Sequence, residues 1–207
     1  MTQARPYRGV GADDRRAARR AVLIETALDC LDDDGLSGVS VRSICSRARL
    51  TPRYFYENFA DLDELLVAVV DSVAAEVAAN GIAAVTAAPA DLHAQVRALV
   101  DAAYGVVADD RRKAHAILVA ASGHGPLRDR REQILIDYAN IALGNLPVLG
   151  AMTALDRRRG VGTALFLMGG TFELIAAVLS GTLRLSRSRV VDMLTELWTS
   201  VLAEAGQ

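Results

Sequence analysis

The sequence holds only two cysteines, Cys30 and Cys45, in 207 residues. Two thiols make no disulfide framework, so a reducing, cytoplasmic setting is expected. There is no glycine-rich phosphate loop, no paired metal cluster and no nucleophile motif, and an enzyme is not expected. His93, His115 and His124 share no ligand spacing with cysteine or carboxylate, so no metal and no cofactor are expected either. Strand-like alternation and internal repeats are both missing. No apolar core follows the first arginines, which argues against a signal peptide. The longest apolar run, Val161 to Leu183, is interrupted by Glu173 and several glycines. It reads as a buried interface helix rather than a membrane span.

Net charge is also small, at −2, which excludes a generally basic nucleic-acid binder. The charge is unevenly placed. Residues 1–60 carry ten arginines against eight Asp and Glu, and six of those arginines lie in the first twenty residues. The rest of the chain is acidic. A modestly basic head on an acidic body suits local docking on DNA rather than coating it. At 52% hydrophobic, the chain can bury a sizeable core in one or two domains.

What is present centres on Ser40 to Phe59, SVRSICSRARLTPRYFYENF. Val41, Ile44, Cys45 and Ala48 fall at i, i+3, i+4 and i+7, one apolar helical face. Ser40 is placed to cap that helix, and Val39 with Ile44 can form a hydrophobic staple. Arg49 and Leu50 break the pattern, and the same grammar restarts. Thr51 is an N-cap, Pro52 occupies the first helical position, and Leu50 with Phe55 form a second staple. Phe55 and Phe59 turn inward, leaving Arg53, Tyr54, Glu57 and Asn58 outward. Two short helices joined by a tight break make a helix-turn-helix.

With Leu23 to Leu28 before it and Gly35 between, this stretch resembles the DNA-binding domain of tetracycline-repressor-type (TetR-family) regulators. The resemblance runs without a gap from about Arg20 to Leu66, and its most specific part is Tyr54-Phe55-Tyr56-Glu57-Asn58-Phe59. Beyond Leu66 only the helical layout matches. Arg49 departs from the family's usual glycine, at a position where a left-handed backbone is easiest without a Cβ. Leu62 stands where many members carry a lysine able to touch phosphate. The resemblance implies a dimeric, ligand-responsive transcriptional regulator, most often a repressor.

The expected DNA contacts are Ser40, Arg42, Thr51, Pro52, Arg53, Tyr54, Tyr56 and Asn58. Hydroxyls and N–H groups at the two caps can hold phosphates. Arg53 and Tyr54 are the base readers, and Arg53 could pair bidentately with guanine. Pro52 offers an apolar contact to a thymine methyl, and Tyr56 either packs or offers its hydroxyl to phosphate. An architectural DNA binder without an effector is the alternative. It would show weak sequence preference and a steep salt slope, against which the acidic body argues.

The expected fold is all-α with about nine helices. Residues 1–12 read as a disordered basic arm, able to lie in a minor groove or simply frayed. Residues 13–60 form the head and 61–207 a helical ligand-binding and dimerisation body. The first helix spans about Asp14 to Asp34, with Ile24, Ala27, Leu28 and Leu31 inward and Gly35 as a left-handed cap. Asp32, Asp33 and Asp34 oppose the helix dipole there without an evident purpose. Asp61 and Glu64 form a capping box that starts a fourth helix, expected to stop near Asn80, with Gly81 to Ala90 as a connection. Asp91 caps the fifth helix, Asp109-Asp110 start a sixth that stops at Gly123-His124-Gly125-Pro126, and a seventh runs from about Leu127 to Asn145. A loop follows at Pro147 to Gly150. Asp156 caps an eighth helix closed by Gly181, and Ser186 caps a ninth. Cys30 and Cys45, both on inward stripes, read as small hydrophobes, with redox sensing as the alternative.

The last two helices are apolar around too much of their circumference for one buried side. A second copy of the chain best covers the excess, through Phe166, Gly169, Gly170, Phe172, Leu194, Trp198 and Val201. A two-fold homodimer would set two recognition helices on the half-sites of an inverted repeat in double-stranded DNA. The body also suits a pocket between helices for a small hydrophobic or amphipathic effector. Tyr104, His115, Tyr138, Asn140 and Glu173 are the candidate contacts, and Glu173, set among Phe172, Leu174 and Ile175, is the most costly to bury unpaired. A membrane is not an expected partner.

Overall fold

A computed structural model describes residues 11–121, 125–146 and 157–205. The arm, apart from its last two residues, lies outside the described residues. So do Gly123-His124, the Pro147 to Gly150 loop and the Asp156 cap. Among the described residues there are nine helices and no strand, as the all-α reading expected. They are α1 (Ala12–Gly38), α2 (Val41–Ala48), α3 (Pro52–Tyr56), α4 (Leu62–Ala87), α5 (Leu92–Ala108), α6 (Arg111–Ala121), α7 (Gly125–Asn145), α8 (Arg157–Leu179) and α9 (Arg187–Ala205). The chain divides into two compact units between Leu66 and Val67, inside α4.

In the first unit, α2 and α3 pack on α1. The inner face of α1 is Leu23, Ala27, Leu28, Cys30 and Leu31, all buried. Leu23 rather than Ile24 lies deepest, because Leu23, Ala27 and Cys30 keep the i, i+4, i+7 spacing that faces α2. Gly35 sits at φ 64°, ψ 178°, the positive φ that only glycine adopts without cost, and a short helical turn follows it. Asp33 and Asp34 acquire a purpose here. Both pair with Arg47 of α2, whose guanidinium also donates to Cys30 Sγ at 3.6 Å. The acidic end of α1 is thus clamped to the last turn of α2.

Ser40 caps α2, its hydroxyl accepting from the Ser43 N–H at 3.1 Å, and the Ser43 hydroxyl receives the Ser40 N–H at 3.0 Å. Val39 and Ile44 are both buried, consistent with the staple. Arg49 ends the helix at φ 54°, ψ 37°, a left-handed residue that carries a Cβ. That conformation costs a non-glycine residue about 1–2 kcal/mol, partly offset by the lower chain entropy it lost on folding. Arg49→Gly is therefore expected to stabilise the head by about 0.5–1 kcal/mol. Thermal unfolding checks this, and an unchanged or lower midpoint would mean that the Arg49 side chain makes up the strain.

The second unit is a helical body in which α5 packs on α9, α7 on α8, and α6 touches α5, α7 and α8. The expected connection after Asn80 is instead helix, since α4 continues to Ala87. Two physical reasons account for the correction. Alanine dominates residues 83–88, and it is the best helix former. Gly81 is no breaker but a contact, as a Cβ there would lie 2.7 Å from Leu99 Cδ1 of α5. Pro89 and the Asp91 cap, which accepts the Ala94 N–H at 2.8 Å, then end one helix and start the next. Gly181, at φ 76°, closes α8, and the Ser186 hydroxyl accepts the Arg189 N–H at 3.3 Å at the start of α9.

Leu62–Ala87 and Arg158–Leu179 are long and apolar enough to cross a membrane by length and composition. In α4 the charged residues are tied to neighbours within the body. Asp71 pairs with Arg130 of α7, and Glu76 with Lys113 of α6 at 2.7 Å. In α8 only 17% of the most apolar stretch is buried; most of its remaining apolar side chains are half-buried, and Phe166 is exposed.

Candidate functional site

The recognition surface follows from how α3 is anchored. Phe55 is fully buried and Phe59 nearly so, their rings 5.8 Å apart, which fixes the rotation of α3 on α1. That rotation turns Arg53 outward with 84% of its side chain exposed, and leaves Tyr54 at 38% and Tyr56 at 60%. Ser40, Arg42, Thr51 and Pro52 are exposed as well. Seven of the eight expected contacts therefore lie on the surface of one small head.

Asn58 does not. It is 8% exposed, and its Nδ2 donates to the Tyr54 carbonyl at 2.7 Å. The outward reading fails because Asn58 satisfies the carbonyl left open one turn back, where α3 stops after five residues. The caps also differ in kind. Thr51 has the extended backbone of an N-cap but makes no side-chain cap bond. Asp61 accepts the Glu64 N–H at 2.8 Å, while Glu64 reaches back to the Ala60 N–H at 2.6 Å.

One carboxylate organises the basic groups beside the two readers. Glu57 holds Arg53 at 3.0 Å and Arg19 of α1 at 3.7 Å, and the Arg19 guanidinium lies 4.6 Å over the Tyr54 ring. Sequence spacing did not reveal Arg19, because its partner lies 38 residues further along the chain. Glu57→Gln removes a negative charge from the surface and the tether on Arg53. It is expected to strengthen binding to random duplex by about 2–5-fold, yet to narrow the gap between specific and random DNA. Anisotropy titrations with both duplexes read the two effects separately.

The body holds a cavity of about 120 Å³ between α4, α5, α6, α7, α8 and α9. Of the five expected ligand contacts, only Tyr138 lines it. Tyr104 is buried elsewhere, its phenol raised by burial, and Asn140 is exposed. His115 is off the wall of the cavity. Glu173 is 65% exposed and pairs with Arg131, so the cost of burying it unpaired does not arise. Polar residues beside apolar stripes do not reveal which face they occupy. The polar groups that do line the cavity include Asn145, Thr171 and Trp198, and the Trp198 indole donates to Thr171 Oγ1 at 2.9 Å.

The expected dimer residues separate in the same way. Phe166 is 71% exposed, and Gly169 and Gly170 face open space. Leu194 and Trp198 are buried inside their own chain, and Phe172 lines the cavity with the Arg131 guanidinium 4.5 Å over its ring. Val201 is half-buried, and Leu197, one helical turn before it, is 53% exposed. An apolar helix face has the same periodicity whether it meets its own core or another molecule. Cys30 and Cys45 are both buried and free, and burial raises the Cys45 thiol, consistent with two small hydrophobes.

Residues 23–69 match the profile of the bacterial regulatory proteins of the tetR family. The HTH-type transcriptional regulator BetI of Paraburkholderia phymatum is 34% identical over 91 residues. That match covers 44% of this chain and 46% of BetI, about half the length of the relative. The fatty acid degradation regulator FadR of Bacillus halodurans shares the fold with a TM-score of 0.70 at 15% identity, over 97% of both chains. FadR of Bacillus subtilis, solved with stearoyl-CoA, does so with a TM-score of 0.67 at 16% identity, over 87% of this chain and 98% of that one.

Proposed function

We propose that this chain is a sequence-specific transcriptional regulator, acting as a repressor, that binds an inverted-repeat operator as a homodimer and leaves it when a small apolar effector fills the body. The observation that carries this reading is the head itself. Arg53 and Tyr54 stand exposed on a helix whose rotation is fixed by Phe55 and Phe59. The α3 helix enters the major groove, Arg53 and Tyr54 meet base edges, and Arg42, Thr51 and Tyr56 meet the backbone. Pro52 lies against a thymine methyl, and the N-terminal turn around Ser40 faces phosphate.

Two copies pair through the outward face of α8 and α9, around Phe166, Gly169, Gly170, Leu197 and Val201. The partners are thus duplex DNA, a second copy and the effector. The route from effector to operator is α4, which lines the cavity with Val77, Gly81 and Val85 and supplies its first turn to the head's compact unit. An effector that favours the non-binding arrangement shifts operator affinity by its coupling free energy, about 1–3 kcal/mol.

Selection from random duplexes at two salt concentrations tests the reading. Enrichment of an inverted repeat supports it. Unselective binding that is lost steeply with salt overturns it in favour of an architectural protein.

A further inference from the structure

The cavity in the body carries a statement about effector chemistry that rests on the ligand-responsive reading above. Among the described residues, its wall is aliphatic and aromatic apart from four side chains, Tyr138, Asn145, Thr171 and Trp198, and no charged side chain lines it. Three of those four already spend a donor inside the protein. The Tyr138 hydroxyl donates to the Ala74 carbonyl at 2.9 Å, Asn145 Nδ2 to the Ile141 carbonyl at 2.7 Å, and the Trp198 indole to Thr171 at 2.9 Å. The Arg131 guanidinium, stacked on the Phe172 ring of the wall, is paired with Glu173. The Thr171 hydroxyl and the second N–H of Asn145 remain as neutral donors, and no described side chain of the wall supplies a counter-charge to a carboxylate, phosphate or ammonium group.

Desolvation points the same way. Burial pushes the Tyr138 phenol well above its ordinary range, so the site disfavours charge on its own wall. A charged ligand group would meet the same penalty without a counter-ion. Size narrows the class further. At about 120 Å³ the cavity is slightly smaller than an engineered apolar cavity of about 150 Å³ that takes benzene. We infer that the body binds an uncharged, hydrocarbon-like molecule of about one aromatic ring, carrying at most one neutral polar group, and rejects its charged analogues.

The chain has one tryptophan, Trp198, and it lines the cavity while being almost wholly shielded from solvent. Its fluorescence therefore reads occupancy. Bromobenzene, whose heavy atom quenches indole emission on contact, is titrated into the full-length protein beside 4-bromobenzoate and 4-bromobenzylamine. The expected result is saturable quenching by bromobenzene, with both charged analogues at least about a hundredfold weaker. Ala142→Leu and Leu135→Phe, which fill the cavity from α7, are each expected to weaken the bromobenzene response while the far-ultraviolet circular dichroism stays helical.

Comparable saturable quenching by either charged analogue would overturn the inference, and so would an absence of saturable quenching by bromobenzene. Operator binding is measured on the same samples. Saturable, charge-selective quenching without operator release would leave the ligand class standing and sink the release mechanism. Operator binding and release without charge selectivity would do the reverse.

Discussion

Replacing Arg53 and Tyr54 together by alanine is expected to abolish selective operator binding while leaving the folded dimer intact. The argument has three parts. The Arg53 side chain is 84% exposed and pairs with Glu57 just after α3, so α3 does not need it to fold. Tyr54 loses a stacked contact with Arg19, worth about 0.5–1 kcal/mol at an exposed site, and nothing from the core. On DNA each good base contact is worth about 1–3 kcal/mol of discrimination, so losing both lowers specific affinity by roughly 10²–10⁴-fold. Binding to random duplex changes far less, because Arg42 and the caps remain. Anisotropy titrations with the selected operator and a scrambled duplex read the ratio, and sedimentation reads the dimer. Unchanged operator affinity would remove α3 from the recognition role.

The second large effect concerns assembly. Phe166→Glu is expected to convert the proposed homodimer to monomer at micromolar concentration without unfolding the chain. Phe166 is 71% exposed in the single chain, so its removal creates no cavity in the protomer. Across a two-fold axis each substitution acts twice and buries a carboxylate against an apolar face. Operator affinity then falls by about 10²–10⁴-fold, because the second half-site is no longer held at high effective concentration. Sedimentation velocity and operator titration check both halves. A variant that stays dimeric with full operator affinity would place the pairing surface elsewhere. Leu197→Glu, from α9, should act in the same direction, since it is the other large apolar side chain left outward on these two helices.

Some elements were legible because their causes are local. Caps at Ser40, Asp91 and Ser186, the left-handed glycines 35 and 181, and the inward pair Phe55 and Phe59 all follow from a few consecutive residues. The left-handed backbone at Arg49 was signalled only by the resemblance, in which glycine usually stands there, and Arg49 adopts it despite its Cβ. Gly81 misled because glycine normally signals a break, whereas here it admits Leu99 to the side of α4. Asn58 misled because a short amide at a helix end either faces out or turns back onto the backbone, and spacing does not choose.

The sequence by itself determined the all-α class, the helix-turn-helix and the exposure of Arg53 and Tyr54, since periodicity, capping and turn chemistry act over less than ten residues. Only the tertiary structure decided which apolar face is which. It put Trp198 and Phe172 against the cavity and left Phe166 and Leu197 outward, and it turned Glu173 to Arg131. The physical reason is that burial is non-directional and depends on area, so a helix apolar on several sides is assigned its inner face by its neighbours.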